Sequence, residues 1–212
     1  MTTFPLSYLS DVLKVTTPTA TLRRYDEASG SGDGRMWSAE LSKPLWAFNV
    51  PLRKYLSQET RSVRAKVGAL QGQKHDFLFA DPAYKGPAAD EGGAVLGASA
   101  VKVGSISSDR TQVSFSGLPS GYTLSAGDRF SVAFGSGHYY LGEIAEDAVA
   151  DGNGDTEAVM VAPWVSLGVE VGDDVELVAP VLKVIVESFT PATDQLGGFS
   201  SGSSLSLLQR PF

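Results

Sequence analysis

From Met36 to Leu41 apolar and polar residues alternate, with Trp37, Ala39 and Leu41 on one face and Ser38 and Glu40 on the other. Alternation with a period of two marks a strand with one buried face. Leu45 to Val50 alternates again, so a hairpin turning at Ser42-Lys43-Pro44 is expected. Upstream, Thr16 to Leu22 is β-rich, and Pro18 confines it to an edge or a strand start. Gly30-Ser31-Gly32-Asp33-Gly34 lies between these runs and reads as a loop, since ordered glycine gives up much backbone freedom. Helical spacing is clearest at Val63, Val67 and Leu70, a stripe opposite Arg61, Arg64 and Lys66, which predicts a helix over Ser57–Leu70. Ser57 is placed to cap it, Glu59 to meet the positive end of its dipole and Gly72 to end it. His75 to Phe79 then reads as a strand stopping at Asp81-Pro82, and Ala83 to Gly93 as a connector.

Beyond Ala94 helical spacing disappears. Short strands are expected at Ala98–Val103, Gln112–Phe115, Arg129–Phe134, His138–Ile144, Glu157–Val161 and Val175–Val178, a pattern of small antiparallel barrels or sandwiches. Gly127-Asp128 and Gly172-Asp173 each lead into a strand as similar turns. Pro180 to Phe189 is a long strand, too apolar to be left free, and is expected to return to the first block and make that domain discontinuous. Gly197 to Ser204 reads as a flexible tail. It ends in Leu207, Leu208, Pro211 and Phe212, apolar residues suited to docking on a neighbouring subunit.

Composition narrows the function classes. The chain carries 17 Lys and Arg against 24 Asp and Glu, a formal charge of −7. A duplex-binding protein needs clustered cations to displace counterions, so no specific nucleic-acid partner is expected. Cysteine is absent, which excludes disulfides, thiolate metal sites and a cysteine nucleophile. Met1 to Lys14 has neither the basic start nor the apolar run of a secretory signal, and no segment approaches a membrane span. A soluble chain made in a cytoplasm, with no membrane insertion, is expected.

Candidate chemistry is sparse. Gly198-Phe199-Ser200-Ser201-Gly202 matches the G-x-S-x-G nucleophile pattern, but it sits in a Ser/Gly tract and both histidines precede it. Asp151-Gly152-Asn153-Gly154-Asp155 begins like a calcium loop, yet Thr156 and Ala162 stand where that loop needs glycine and glutamate, so turn chemistry is the expectation. His75 and His138 lack histidine partners at metal-ligand spacing. Glu143/Glu146 and Asp173/Asp174 could serve glycoside hydrolysis only across a cleft, and solvated turns are their default account. No catalytic residue, metal ligand or cofactor is therefore assigned. Among the aromatics, Trp37, Trp46 and Phe48 are expected in a core, whereas Tyr139, Tyr140 and Trp164 are candidates for an exposed surface that stacks on a host glycan.

The order of features carries a resemblance. Trp46, the basic helix Ser57–Leu70, Gly72 and Phe77-Leu78-Phe79-Ala80-Asp81-Pro82 form one block. A β module follows, with Ala126-Gly127-Asp128-Arg129-Phe130, Tyr140-Leu141-Gly142-Glu143-Ile144, Gly154-Asp155-Thr156-Glu157 and Ala162-Pro163-Trp164, and Pro180–Phe189 closes the pattern. Over about Trp37 to Phe189 this resembles the distal tail proteins, and related minor tail proteins, of long-tailed bacteriophages and phage-like particles. The resemblance implies a structural virion protein without enzymatic activity, forming a homo-oligomeric ring, usually a hexamer, between tail tube and hub. It also implies a fold that is mainly β with one main helix (α+β). A β-sandwich belt domain, residues 1–91 plus 180–212, would carry a small antiparallel β-barrel or sandwich module at 92–179. Localisation in the virion tail, after synthesis in the bacterial host cytoplasm, would follow. A carbohydrate-binding module contacting host glycans is the alternative.

Overall fold

A computed structural model describes residues 2–30, 32–195 and 199–210. The chain begins with β1 (Thr3–Phe4), α1 (Ser7–Ser10), β2 (Thr19–Gly30), β3 (Met36–Pro51), β4 (Tyr55–Leu56), α2 (Ser57–Ala69) and β5 (Asp76–Ala80). A run of short strands follows: β6 (Lys102–Ile106), β7 (Gln112–Ser116), β8 (Thr123–Leu124), β9 (Arg129–Phe134), β10 (His138–Ile144), β11 (Ala148–Val149), β12 (Val159–Ala162) and β13 (Val175–Glu176). The C-terminal part holds β14 (Val181–Thr190), β15 (Thr193–Gln195), β16 (Phe199–Ser201) and β17 (Ser204–Gln209). The fold is thus mainly β with one main helix.

The first sheet runs β1-β5-β14-β17-β3-β2 and joins both ends of the described chain. β14 pairs antiparallel with β5 on one side and β17 on the other, so the long apolar strand does return to the first block. Helix α2 adds Val63, Val67 and Leu70 to the core that Trp46, Phe48, Phe77, Leu182, Leu205 and Leu207 build on this sheet. Leu56, rather than Ser57, occupies the N-cap; Glu59 reaches back to accept its backbone N–H at 3.1 Å. An anion in the first turn satisfies an orphan donor and meets the helix dipole together.

Two expectations fail on this sheet. No turn forms at Ser42-Lys43-Pro44, because β3 runs unbroken through it. The ladder jumps from Arg23↔Leu45 to Tyr25↔Ser42, leaving Lys43 and Pro44 in a bulge. There proline's missing N–H costs the ladder nothing. The tail docking site at Leu207 and Leu208 also fails: β17 is a central strand, with Leu207 opposite Phe48 and Val186, and Leu208 opposite Ala47 and Ile185. Leu205 and Leu207 are fully buried. Burial of these leucines between two long strands within the chain outweighs the loop-forming tendency of the serines around them. Pro211 and Phe212 lie outside the described residues.

The second sheet runs β13-β9-β10-β12-β7-β6. Its ends approach each other: Val103 N–H donates to Asp173 O at 2.9 Å and Val175 N–H to Val101 O at 2.9 Å. The result is a nearly closed barrel, filled by Val103, Val113, Phe115, Phe130, Val132 and Tyr140 among others. Phe115 meets Phe130 edge-on with centroids 5.0 Å apart. The first barrel strand lies later than expected, at Lys102–Ile106. The two Gly-Asp turns are built alike. Gly127 and Gly172 have φ of +95° and +94°, and the Asp128 and Asp173 carboxylates accept the N–H three residues back, from Ser125 at 2.7 Å and Glu170 at 2.8 Å.

Candidate functional site

The two cores meet along β10. Successive side chains of a strand point to opposite faces, so Tyr140 and Ile144 fill the barrel while Tyr139 and Leu141 pack on the first core. Trp46 reaches across and donates its indole N–H to Leu141 O at 2.9 Å. Nearby, the Arg129 guanidinium is shared between Asp81 at 3.0 Å and Glu143 at 3.1 Å, and lies 5.5 Å from the Trp46 ring. Tyr84 closes the same corner, its hydroxyl accepting Arg129 N–H at 2.9 Å and donating to Arg129 O at 3.0 Å. Burial pushes this phenol up to about 12. Asp81 of the Phe77–Pro82 motif therefore works as an anchor between sheet and barrel.

This junction places the aromatic candidates differently from a stacking platform. Tyr140 is 2% exposed and its hydroxyl donates to Pro163 O; burial drives its pKa upward. Tyr139 is half-buried on the opposite face of the strand. Trp164 is half-buried too, and its ring face is taken by the Lys43 ammonium at 3.9 Å from the centroid. The expected exposed surface of Tyr139, Tyr140 and Trp164 does not form, because β10 divides its two tyrosines between separate cores. Trp37 departs the other way. It was expected in a core and is 69% exposed, whereas Trp46 and Phe48 are buried.

Beside Trp164 lies a cleft of about 500 Å³ between the bulge of β3 and the rim of the barrel. Its walls include Lys43, Leu45, Phe134, Tyr140, Trp164 and Leu167, and among the described residues no carboxylate lines it. Gln209 also lines it and is nine-tenths buried or more. The Gln209 side-chain carbonyl accepts Trp46 N–H at 3.1 Å. Burial, with Arg110 close by, lowers the pKa of Lys43. Arg110 itself holds the adjoining loop, donating to the carbonyls of Val165, Ser166 and Val169. An apolar cleft with a cation at its edge is suited to an apolar body carrying an anionic group.

The remaining sequence candidates sit in local structural contacts, and His138 also lines the cleft. Ser200 lies on β16, which pairs with β4 and β15, and the chain continues into a strand rather than the helix a nucleophile elbow requires. His75 Nδ1 accepts Thr2 N–H at 3.3 Å, and the His138 ring stacks on Phe134 at 5.6 Å. Asp151 accepts the N–H groups of Asn153 and Asp155 at 2.8 and 3.0 Å, folding the loop as an Asx turn. Glu146 accepts Met160 N–H at 3.1 Å, and Asp174 pairs with Lys102 at 2.6 Å. Among the described residues no three His, Cys, Asp or Glu side chains converge as metal ligands.

The feature sequence reasoning missed is an arm. β2 and β3 continue as a two-stranded ladder from Asp26↔Glu40 to Gly30↔Met36, exposed on both faces. Met36, Trp37 and Leu41 stand out from it at 78%, 69% and 67% exposure. The only sequence signal was the length of alternation continuing past the proline. No protein-family model matches this chain, and no curated protein emerges as its relative.

Proposed function

We propose that the chain is a structural component of a long-tailed phage or phage-like tail, forming a ring at its distal end that couples the tail tube to the hub. The reading rests on the order of motifs from Trp37 to Phe189, and one structural observation supports it. Among the described residues, no strand pairs with the outer edge of β2, a strand of 12 residues. Charges usually blunt such an edge, but three of its four are paired within the chain, Arg23 to Glu187 at 2.6 Å and Arg24 to Asp26 at 2.7 Å. The backbone row stays open for another subunit, and a contact between unlike surfaces generates rings when its rotation closes.

The test is light scattering of the purified chain, alone and mixed with candidate tube and hub proteins. A closed assembly of about six chains is expected. A chain that stays monomeric and ignores those partners would refute the reading.

A further inference from the structure

The arm and the cleft match each other, and one molecule cannot join its own pair. Trp37 and Ala39 share a face of the arm, six and four residues from Lys43 along β3. At the rise of an extended strand this puts Trp37 about 20 Å from the cleft. The ladder between β2 and β3 holds it there. Large exposed apolar side chains clustered on one projection mark a contact surface, and tryptophan is the residue most often found at the energetic centre of one.

Charge points the same way. The arm from Arg24 to Leu41 carries Asp26, Glu27, Asp33 and Glu40 against Arg24 and Arg35, a net −2. The cleft has Lys43 and, among the described residues, no carboxylate, in a chain that is acidic as a whole. An indole suits the apolar wall between Leu45, Phe134 and Leu167, while Glu27, paired with Ala39 and so on the face of Trp37, would meet the cation at the rim.

We infer that the arm of one copy inserts Trp37 into the cleft of the next, beside Lys43 and Trp164, so that each subunit gives at one end of β3 and receives at the other. The inference rests on the ring reading and names the contact that would join its subunits. Such a contact is heterologous, leaves one arm and one cleft unmet in any open chain, and is fully satisfied only on closure.

Because the chain has no cysteine, crosslinking provides a clean test. Ala39→Cys and Leu167→Cys change exposed positions on the two partners. Mixed and oxidised, the two single variants are expected to give a disulfide-linked heterodimer in far greater yield than either gives a homodimer. Trp37→Ser in the Ala39→Cys chain should abolish it, and Trp37→Ser alone should weaken self-association about 30-fold in sedimentation velocity, the loss typical of an interface anchor. An assembly that forms equally well with Trp37→Ser, or one that yields no heterodimer, overturns the arm-in-cleft contact while leaving the ring intact. A chain monomeric at every concentration, alone and with the tube and hub proteins, overturns both.

Discussion

Leu207→Ala tests whether β17 belongs to its own sheet or to a neighbour's. Leu207 has no exposed surface and sits between β14 and β3, while Leu208 beside it points to the other face and is half-buried. Truncating a fully buried leucine removes a methine and two methyl carbons and leaves a cavity, a loss of about 3 kcal/mol. With a urea slope of about 2 kcal/mol/M, the unfolding midpoint should fall by about 1.5 M. Leu208→Ala should cost under about 1 kcal/mol, since its atoms are only partly withdrawn from water. Tryptophan fluorescence is a suitable probe, because Trp46 is buried in the same core and takes its backbone partner from Gln209 of β17. The measurement is made at two protein concentrations tenfold apart. An intramolecular strand gives the same Leu207→Ala penalty at both. A penalty that shrinks to nothing on dilution, or equal effects at Leu207 and Leu208, would refute the placement of β17.

Two further outcomes follow from local geometry. Gly154 has φ +87° and a Cβ there would stand 2.2 Å from Leu118 O, whereas a Cβ at Gly152 meets nothing within 4 Å; Gly154→Ala should lower stability by about 2 kcal/mol and Gly152→Ala by under about 0.5, read by thermal unfolding. The Asp90 carboxylate accepts the N–H groups of Val95 at 3.0 Å and Leu96 at 2.8 Å, and these bonds hold its pKa below the ordinary 3.8. A depressed carboxylate stabilises the fold above its unfolded pKa and loses that contribution as pH falls through its folded one, so wild type should exceed Asp90→Asn in stability at neutral pH, with the gap narrowing below about pH 4. A constant gap across that range would contradict the account.

How much of this was legible depended on whether a signal was local. The α2 stripe of Val63, Val67 and Leu70 was readable because a helix buries residues at its own period, and the paired Gly-Asp turns because each is closed by a carboxylate three residues from its donor. Alternation from Met36 to Leu41 predicted a strand but not its surroundings, since period two shows that faces differ and not that either is covered. Trp37 consequently ended in solvent. At β17 the alternation of Leu205, Leu207 and Gln209 was present in the sequence, but glycine and serine composition upstream outweighed it. The cleft was beyond reach, because its walls come from β3, the β9–β10 corner, the loop after β12 and the end of β17, and only the folded register brings them together.

The topology divides the chain into units that complete at different times. The barrel is built within Val101–Glu176, and two of its five antiparallel pairs, β6 with β7 and β9 with β10, join consecutive strands whose contacts lie close in sequence. The first sheet cannot close until β14 and β17 arrive, because β5 and β3 have no direct pairing and are bridged only by those two strands. Contacts of long sequence separation form late, since loop closure must be met before they reward it. The cleft shares this dependence: Gln209 supplies part of its lining and also fixes Trp46, whose indole ties the sheet to the barrel through Leu141. A receiving surface so composed exists only in a fully folded subunit, while the arm, a local hairpin, requires little beyond β2 and β3. Assembly by arm and cleft would thus admit finished subunits and exclude partly folded ones, without any separate device to distinguish them.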